Sequence, residues 1–418
     1  MAAYFLPGDI LMPDFSQVDG ERWAVVACDQ YTSEPEYWQS VEQTVGDAPS
    51  TLHLTLPEIY LENAAERVPR IHEAMEQTMR NTLLTHQNKM IYLERTQSNG
   101  LVRRGLVGVI DLEQYDYNKG SKSLIRATEG TVLERIPPRL AVRRGATLEL
   151  PHVMLLIDDP QKTVIEPIAA RASQLEVAYD FSLMQKSGAV KGYFVDSVGI
   201  GRVTNALEKL ISSEQQKAKY GEGVAPLLFA VGDGNHSLAT AKAAYEEIKA
   251  AHGDRALYHP ARYALAEVVN LHDEALHFEP IYRVMFGVDP DDVLSELEQY
   301  SFSLAGNAAP QHAKFLSRTR KGTIHFGAPS EQLTVGTLQT FIDRYLATHE
   351  GASVDYIHGV KSVEALAAKE NAVGFLFDGM EKNQLFRAVM HDGALPRKTF
   401  SMGAAADKRF YLECRKIK

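Results

Sequence analysis

The chain has 418 residues, 45% of them hydrophobic and 23% charged, with a formal net charge of −10. That length exceeds one ordinary domain and that composition builds normal cores, so two or three lobes are expected and a disordered chain is excluded. The acidic balance excludes a dedicated nucleic-acid or anionic-membrane surface, and two cysteines far apart in sequence, Cys28 and Cys414, exclude a disulfide framework or a four-cysteine zinc site.

No apolar run approaches the roughly 18 residues of a membrane helix. Residues 1–7 lack a basic segment and break at Pro7, so the chain reads as cytoplasmic and unprocessed. In chain order, residues 23–28 form a short apolar run that stops at Asp29. Residues 52–56 alternate at period two, as a half-buried strand does. Val68, Ile71, Met75, Met79 and Leu83 follow at helical spacing, with Pro69 expected in the first turn, where a missing N–H costs little. Residues 90–95 and 101–111 read as two strands around Ser98-Asn99-Gly100, because Asn-Gly favours the left-handed geometry of a tight hairpin. Residues 116–122 are polar and read as a surface connection.

Residues 125–144 carry Arg126, Arg135, Arg139, Arg143 and Arg144 against Glu129 and Glu134, a basic island in an acidic chain. Residues 153–157 and 192–198 predict further strands, and Leu207, Leu210 and Ile211 share one face of a helix. Residues 226–231 predict a strand and residues 238–251 a helix of good formers. Beyond residue 289 come an amphipathic helix, hairpin-like strands, a helix over 336–348, a strand over 374–377 and a basic tail.

The strongest local signal is the passage from the apolar 227–231 run through Gly232-Asp233-Gly234-Asn235 into a helix. Such a turn aims free backbone N–H groups and the helix dipole at one point, which favours an anion, most often a phosphate. Gly232 and Gly234 allow close backbone approach. Asp233 can hold a metal or accept a proton, and His236 can transfer one near neutral pH. The plainer alternative is a helix cap by Asp233 or Asn235 with His236 packed on the turn.

Within the basic island, Glu129 among arginines is stabilised as a carboxylate and can act as a base, while the arginines can clamp phosphoryl oxygens. A solvated helix face laced with ion pairs accounts for the same pattern. Gly199-Ile200-Gly201 lacks the third glycine and the acidic partner of a dinucleotide fingerprint. Residues 393–399 lack the glycine before lysine that a Walker loop needs, although Lys398 can still contact a phosphate. Cys28 reads as a structural cysteine, and His272 and His277 have the wrong spacing for helical metal ligation.

Taken in order, these elements resemble the family catalogued as domain of unknown function 1015. Arg126-Ala127-Thr128-Glu129-Gly130-Thr131 with the following Arg139 resembles its glutamate-threonine block. Asp233-Gly234-Asn235-His236-Ser237 resembles its Asp-Gly-His-His-Arg element. Pro280-Ile281-Tyr282-Arg283 resembles its Pro-x-x-Arg, and Pro396-Arg397-Lys398-Thr399 its closing Pro-x-Lys-Ser/Thr. The family is similar in its core to the ParB/sulfiredoxin-like fold, which includes free-serine kinases.

The resemblance implies an α+β, mixed-sheet, multi-lobed protein. An N-terminal lobe would span 1–118, a ParB/sulfiredoxin-like core carrying the site 119–288, and a C-terminal segment 289–418. It implies Glu129 as base, with Asp233 and His236 in the catalytic set. Gly232, Gly234, Asn235 and Ser237 would hold phosphates with Arg139, Arg283 and Lys398. Asn235 and Ser237 stand where the family has histidine and arginine, so one fixed positive charge is lost and another arginine, Arg283 or Arg139, must supply it.

The leading expectation is a nucleotide-dependent small-molecule kinase for free serine or a similar hydroxyl-bearing metabolite. It would use magnesium, with Asp233 as the candidate ligand, and a nucleoside di- or triphosphate. The alternatives are a non-catalytic nucleotide- or phosphometabolite-binding regulator and a phosphatase-type hydrolase. The partners expected are a nucleotide and a small molecule, with no nucleic acid and no membrane.

Overall fold

The computed structural model describes residues 4–130 and 136–418. Glu134 and Arg135 of the basic island, and Thr131, lie outside the described residues. The fold is mixed α/β and divides into two units, one running to Leu276 and taking in Ala404–Lys418, the other His277–Gly403.

This division differs from the lobes expected at 118/119 and 288/289, and strand pairing is the reason. Val102–Asp111, assigned by sequence to an N-terminal lobe, pairs antiparallel with Tyr263–Asn270 from Tyr263↔Asp111 to Val269↔Gly105. Phe410–Tyr411, near the chain's end, pairs antiparallel with Val25–Val26. Each pairing joins segments that a linear reading keeps apart.

The first unit is built on one large mixed sheet. Its strands run in the order Glu176–Ser182, Ala189–Phe194, Ile91–Thr96, Val102–Asp111, Tyr263–Asn270, Met154–Ile157, Phe229–Asp233, Ile125–Ala127 and Tyr115–Asp116. Successive strand residues point to opposite faces, so both faces are packed. Tyr92, Leu106 and Ile110 enter one core, with Leu155 and Val231. Their neighbours Ile91, Leu93, Val107 and Val109 enter the other, with Trp38 and Phe410. The hairpin at Ser98-Asn99-Gly100 forms as its sequence predicts, with Gly100 at φ +83°.

Two local expectations fail for identifiable reasons. Residues 52–56 are not a strand. Thr51–Leu54 is a 3₁₀ turn capped by Ser50 Oγ, and its three-residue repeat buries Thr51 and Leu54 together. The helix carrying Ile71 and Met75 spans Ala64–Asn81 and starts without a side-chain cap, so Pro69 lies inside it rather than in its first turn. Gly199 and Gly201 lie within the helix Ser197–Leu210, capped by Asp196, so no phosphate-cradling loop forms there.

The second unit has its own antiparallel sheet, in the order Lys321–Phe326, Gln311–Leu316, Ala372–Leu376, Phe278–Phe286 and Ser353–His358, with Phe400–Met402 also on Phe278–Phe286. The helix expected over 336–348 is Thr334–Thr348. No helix among the described residues is long and apolar enough to cross a membrane.

Candidate functional site

Three strand ends converge on the Gly234 turn. Phe229–Asp233 runs parallel to Ile125–Ala127 with Val231 opposite Ala127, so both strands deliver their next residues to the same edge of the sheet. Thr128 Oγ1 donates to Val231 O at 2.7 Å and meets Asn235 Nδ2 at 3.4 Å. Glu129, half-buried, follows directly. On the other side Met154–Ile157 runs antiparallel to Phe229–Asp233 with Met154 opposite Asp233, which sets His152 and Val153 against the turn.

Gly234 has φ +78° and opens the helix Asn235–His252 with no side-chain cap. A Cβ on Gly234 would stand 3.0 Å from Val153 Cα and 3.2 Å from His152 Cδ2, so glycine is required by backbone conformation and by space together. The first-turn N–H groups of an uncapped helix need acceptors from elsewhere, and the dipole favours a negative one. Asn235 Oδ1 is enclosed and has no hydrogen-bond partner among the described residues.

Asp233 Oδ1 accepts from Gly234 N at 3.0 Å, and its Oδ2 is 3.2 Å from Lys408 Nζ. Beside this pair, Tyr411 OH accepts from Cys28 N at 3.1 Å and lies 2.8 Å from His152 Nδ1. His152 Nε2 lies 4.0 Å from Asp29 Oδ2. Enclosure opposes ionisation of Asp29, but the charges of His152 and Lys408 and a hydrogen bond from Gln30 outweigh it and hold the carboxyl below its usual value. Burial, reinforced by Asp29, pushes the Cys28 thiol up to about 11, so it is a neutral wall and not a nucleophile at neutral pH.

A cavity of about 140 Å³ adjoins the turn. Ser237 and Thr240 line one side of it, and Cys28, Arg139 and His152 also face it. Arg139, on the helix Ile136–Gly145, pairs with Glu58.

Asp233, Gly234, Asn235, His236 and Ser237 thus share one turn with Gly232 behind it, and Thr128-Glu129 stands alongside. Arg139 lies in the adjoining cavity wall. Arg283 and Lys398 belong to the second unit. Arg283 is buried there, donating to Gln339 Oε1, Ile281 O, Lys398 O and Arg397 O, so its guanidinium is committed to holding that unit's chain. Lys398 is exposed, with Nζ 5.6 Å from the Tyr356 ring centroid.

The other described arginines of the basic island are consumed structurally. Arg126 donates to Ser123 O, Ala225 O and Pro226 O, Arg143 pairs with Glu149, and Arg144 with Glu247. Sequence reasoning missed Lys408, His152, Tyr411 and Asp29. Only the stop of an apolar run at Asp29 signalled any of them, since long-range strand pairing assembles the group.

The class defined by this fold and turn is a mixed α/β protein in which a sheet-edge turn enters a helix through left-handed Gly234 beside a carboxylate. The chain matches, over residues 14–380, the model of the family described as protein of unknown function (DUF1015), and it belongs to that family. No curated protein matches it. Among solved structures, a conserved hypothetical protein from Pyrococcus furiosus is 11% identical at a TM-score of 0.35, over 74% of this chain and 94% of that one. A free serine kinase in complex with AMP is 11% identical at a TM-score of 0.37, over 74% and 90%. SbnI from Staphylococcus aureus is 11% identical at a TM-score of 0.33, over 71% and 83%.

Proposed function

We propose that this protein is a nucleotide-dependent phosphotransferase acting on a small hydroxyl-bearing molecule, with the nucleotide phosphates at Gly234–Ser237. One observation carries the reading: a long, uncapped helix is entered through left-handed Gly234, with Lys408 on one side and Thr128-Glu129 on the other. The first-turn N–H groups and Asn235 receive phosphate oxygens. Lys408 supplies the positive charge that Asn235 and Ser237 cannot, in the role expected of Arg283 or Arg139. Glu129 takes the acceptor's proton, and His236 stands at the same turn.

The oxygen donors here suit magnesium, which binds through one or two carboxylates and substrate phosphates. Asp233 would hold it once Lys408 turns to the phosphates, and a bound ion would neutralise charge on the transferring group. The motif order supports a ParB/sulfiredoxin-like core around this turn.

A second reading, phosphometabolite binding without turnover, is favoured by the present commitment of Asp233 to Lys408 and Gly234. Following ATP or ADP with magnesium and a pool of hydroxyl compounds by ³¹P NMR separates the readings. The proposal requires nucleotide loss matched by a new phosphomonoester, strongly reduced in Glu129→Gln. Release of inorganic phosphate alone identifies the hydrolase alternative, and tight binding with no conversion identifies the regulator.

A further inference from the structure

Beside the turn, the cavity of about 140 Å³ is walled mainly by hydrocarbon, including Leu54, Leu56, Met75, Leu148 and Leu150. A pocket of roughly this volume accommodates a group the size of benzene. The hydroxymethyl group of serine is far smaller, and it would leave most of this wall facing empty space. The neutral Cys28 thiol adds to the apolar lining.

Among the described residues, two ion pairs interrupt the hydrocarbon, and in one of them, Arg143 with Glu149, the carboxylate is also held by Arg415 and Leu265 N. Glu58 and Arg139 both line the cavity and form an ion pair, with side chains 17% and 19% exposed. A carboxylate and a guanidinium side by side complement a zwitterion, the carboxylate receiving an ammonium and the guanidinium a carboxylate. Ser237 and Thr240 place the cavity along the same helix whose start is the phosphate turn.

We infer that the acceptor is a hydroxyl-bearing α-amino acid with a hydrocarbon side chain, larger and more apolar than serine. This rests on the phosphotransferase reading above. In the step, the acceptor oxygen forms a bond to the terminal phosphorus as the bond from that phosphorus to the nucleotide's bridging oxygen breaks. The hydroxyl proton passes to Glu129, and the shortened nucleotide leaves with the bonding pair. Size and charge are read separately: the hydrocarbon wall selects the side chain, and Glu58 with Arg139 selects the amino-acid ends.

The test compares L-serine with β-hydroxyleucine, a serine bearing an isopropyl group, as acceptors of the full-length protein. Calorimetric binding is measured first, without nucleotide. The added apolar carbons are expected to tighten binding at least tenfold over serine. Ala146→Leu, which adds bulk to the cavity wall, is expected to abolish that preference. Arg139→Gln is expected to weaken β-hydroxyleucine more than its decarboxylated amine.

Equal or tighter binding of serine overturns the inference, whatever the nucleotide result. Tighter binding of β-hydroxyleucine with no phosphorylated product from it under magnesium-ATP or magnesium-ADP upholds the ligand class and overturns the phosphotransferase reading instead.

Discussion

Lys408 Nζ lies 3.2 Å from Asp233 Oδ2, with the two side chains only 12% and 16% exposed. The pair ties the end of the chain to the turn between the Phe229–Asp233 strand and the following helix. It gives a turn that carries Ser237 in place of the motif arginine a fixed cation, the group that the proposed phosphate site would use.

Removing that cation separates binding from folding. Lys408→Met leaves Asp233 with its Gly234 N–H bond and is expected to cost about 1–3 kcal/mol of stability, as losing one partner of a mostly buried pair does. Nucleotide affinity should fall at least tenfold, measured by calorimetry at a temperature where the variant is folded by circular dichroism. Lys408→Arg should retain most of that affinity.

Gly234→Ala is expected to destabilise by about 2 kcal/mol or more, combining the left-handed backbone cost with contact against Val153 Cα at 3.0 Å. Gly100→Ala provides the comparison, since φ is +83° in that hairpin turn but no atom lies within 4 Å of the added carbon. It should lose only the conformational part, about 1 kcal/mol. Chemical denaturation of both variants checks the difference.

Acid stability should depend on Asp158, which is 3% exposed and bonded to His272, Lys219 and Tyr220. Burial works against its ionisation, but those three partners outweigh burial and hold the carboxyl below its usual value. A depressed carboxyl contributes stability above the unfolded value of about 3.9 and loses it as pH falls through the folded value. The stability gap between wild type and Asp158→Asn should therefore be constant above about pH 5 and narrow below about pH 4. Denaturation midpoints across pH 2.5–7 measure it.

Both cysteines should resist alkylation in the native state. With its thiol near 11, Cys28 is thiolate in only about 3 molecules per 10,000 at pH 7.5. Burial pushes the Cys414 thiol up as well. Mass spectrometry after brief iodoacetamide treatment should find neither modified, with both modified after denaturation.

Much of this was legible in the sequence where the signal was local. The Asn99-Gly100 hairpin, the apolar run into Gly232-Asp233-Gly234 and the helix after it all form where their residues place them. Residues 52–56 misled because leucines alternating over so short a span look like a strand, whereas the 3₁₀ turn buries Leu54 with Thr51, three residues apart, and leaves Leu52 half-buried. Arg283 and Lys398 drew attention through the Pro-x-x-Arg and Pro-x-Lys-Ser/Thr resemblances, yet Arg283 is spent on carbonyls of its own unit. Lys408, His152 and Tyr411 carry no motif. They reach the turn because the Phe410–Tyr411 strand pairs with Val25–Val26 and Met154–Ile157 pairs with Phe229–Asp233, which no local pattern encodes.

The most direct measurement is the thermal stability of wild type and Lys408→Met with and without magnesium-ATP and magnesium-ADP. A nucleotide at 100 times its dissociation constant stabilises by about 2.7 kcal/mol. A rise in melting temperature in wild type that is largely lost in the folded variant is the predicted result. No rise with either nucleotide, or an equal rise in both proteins, would contradict a phosphate site at Gly234–Ser237.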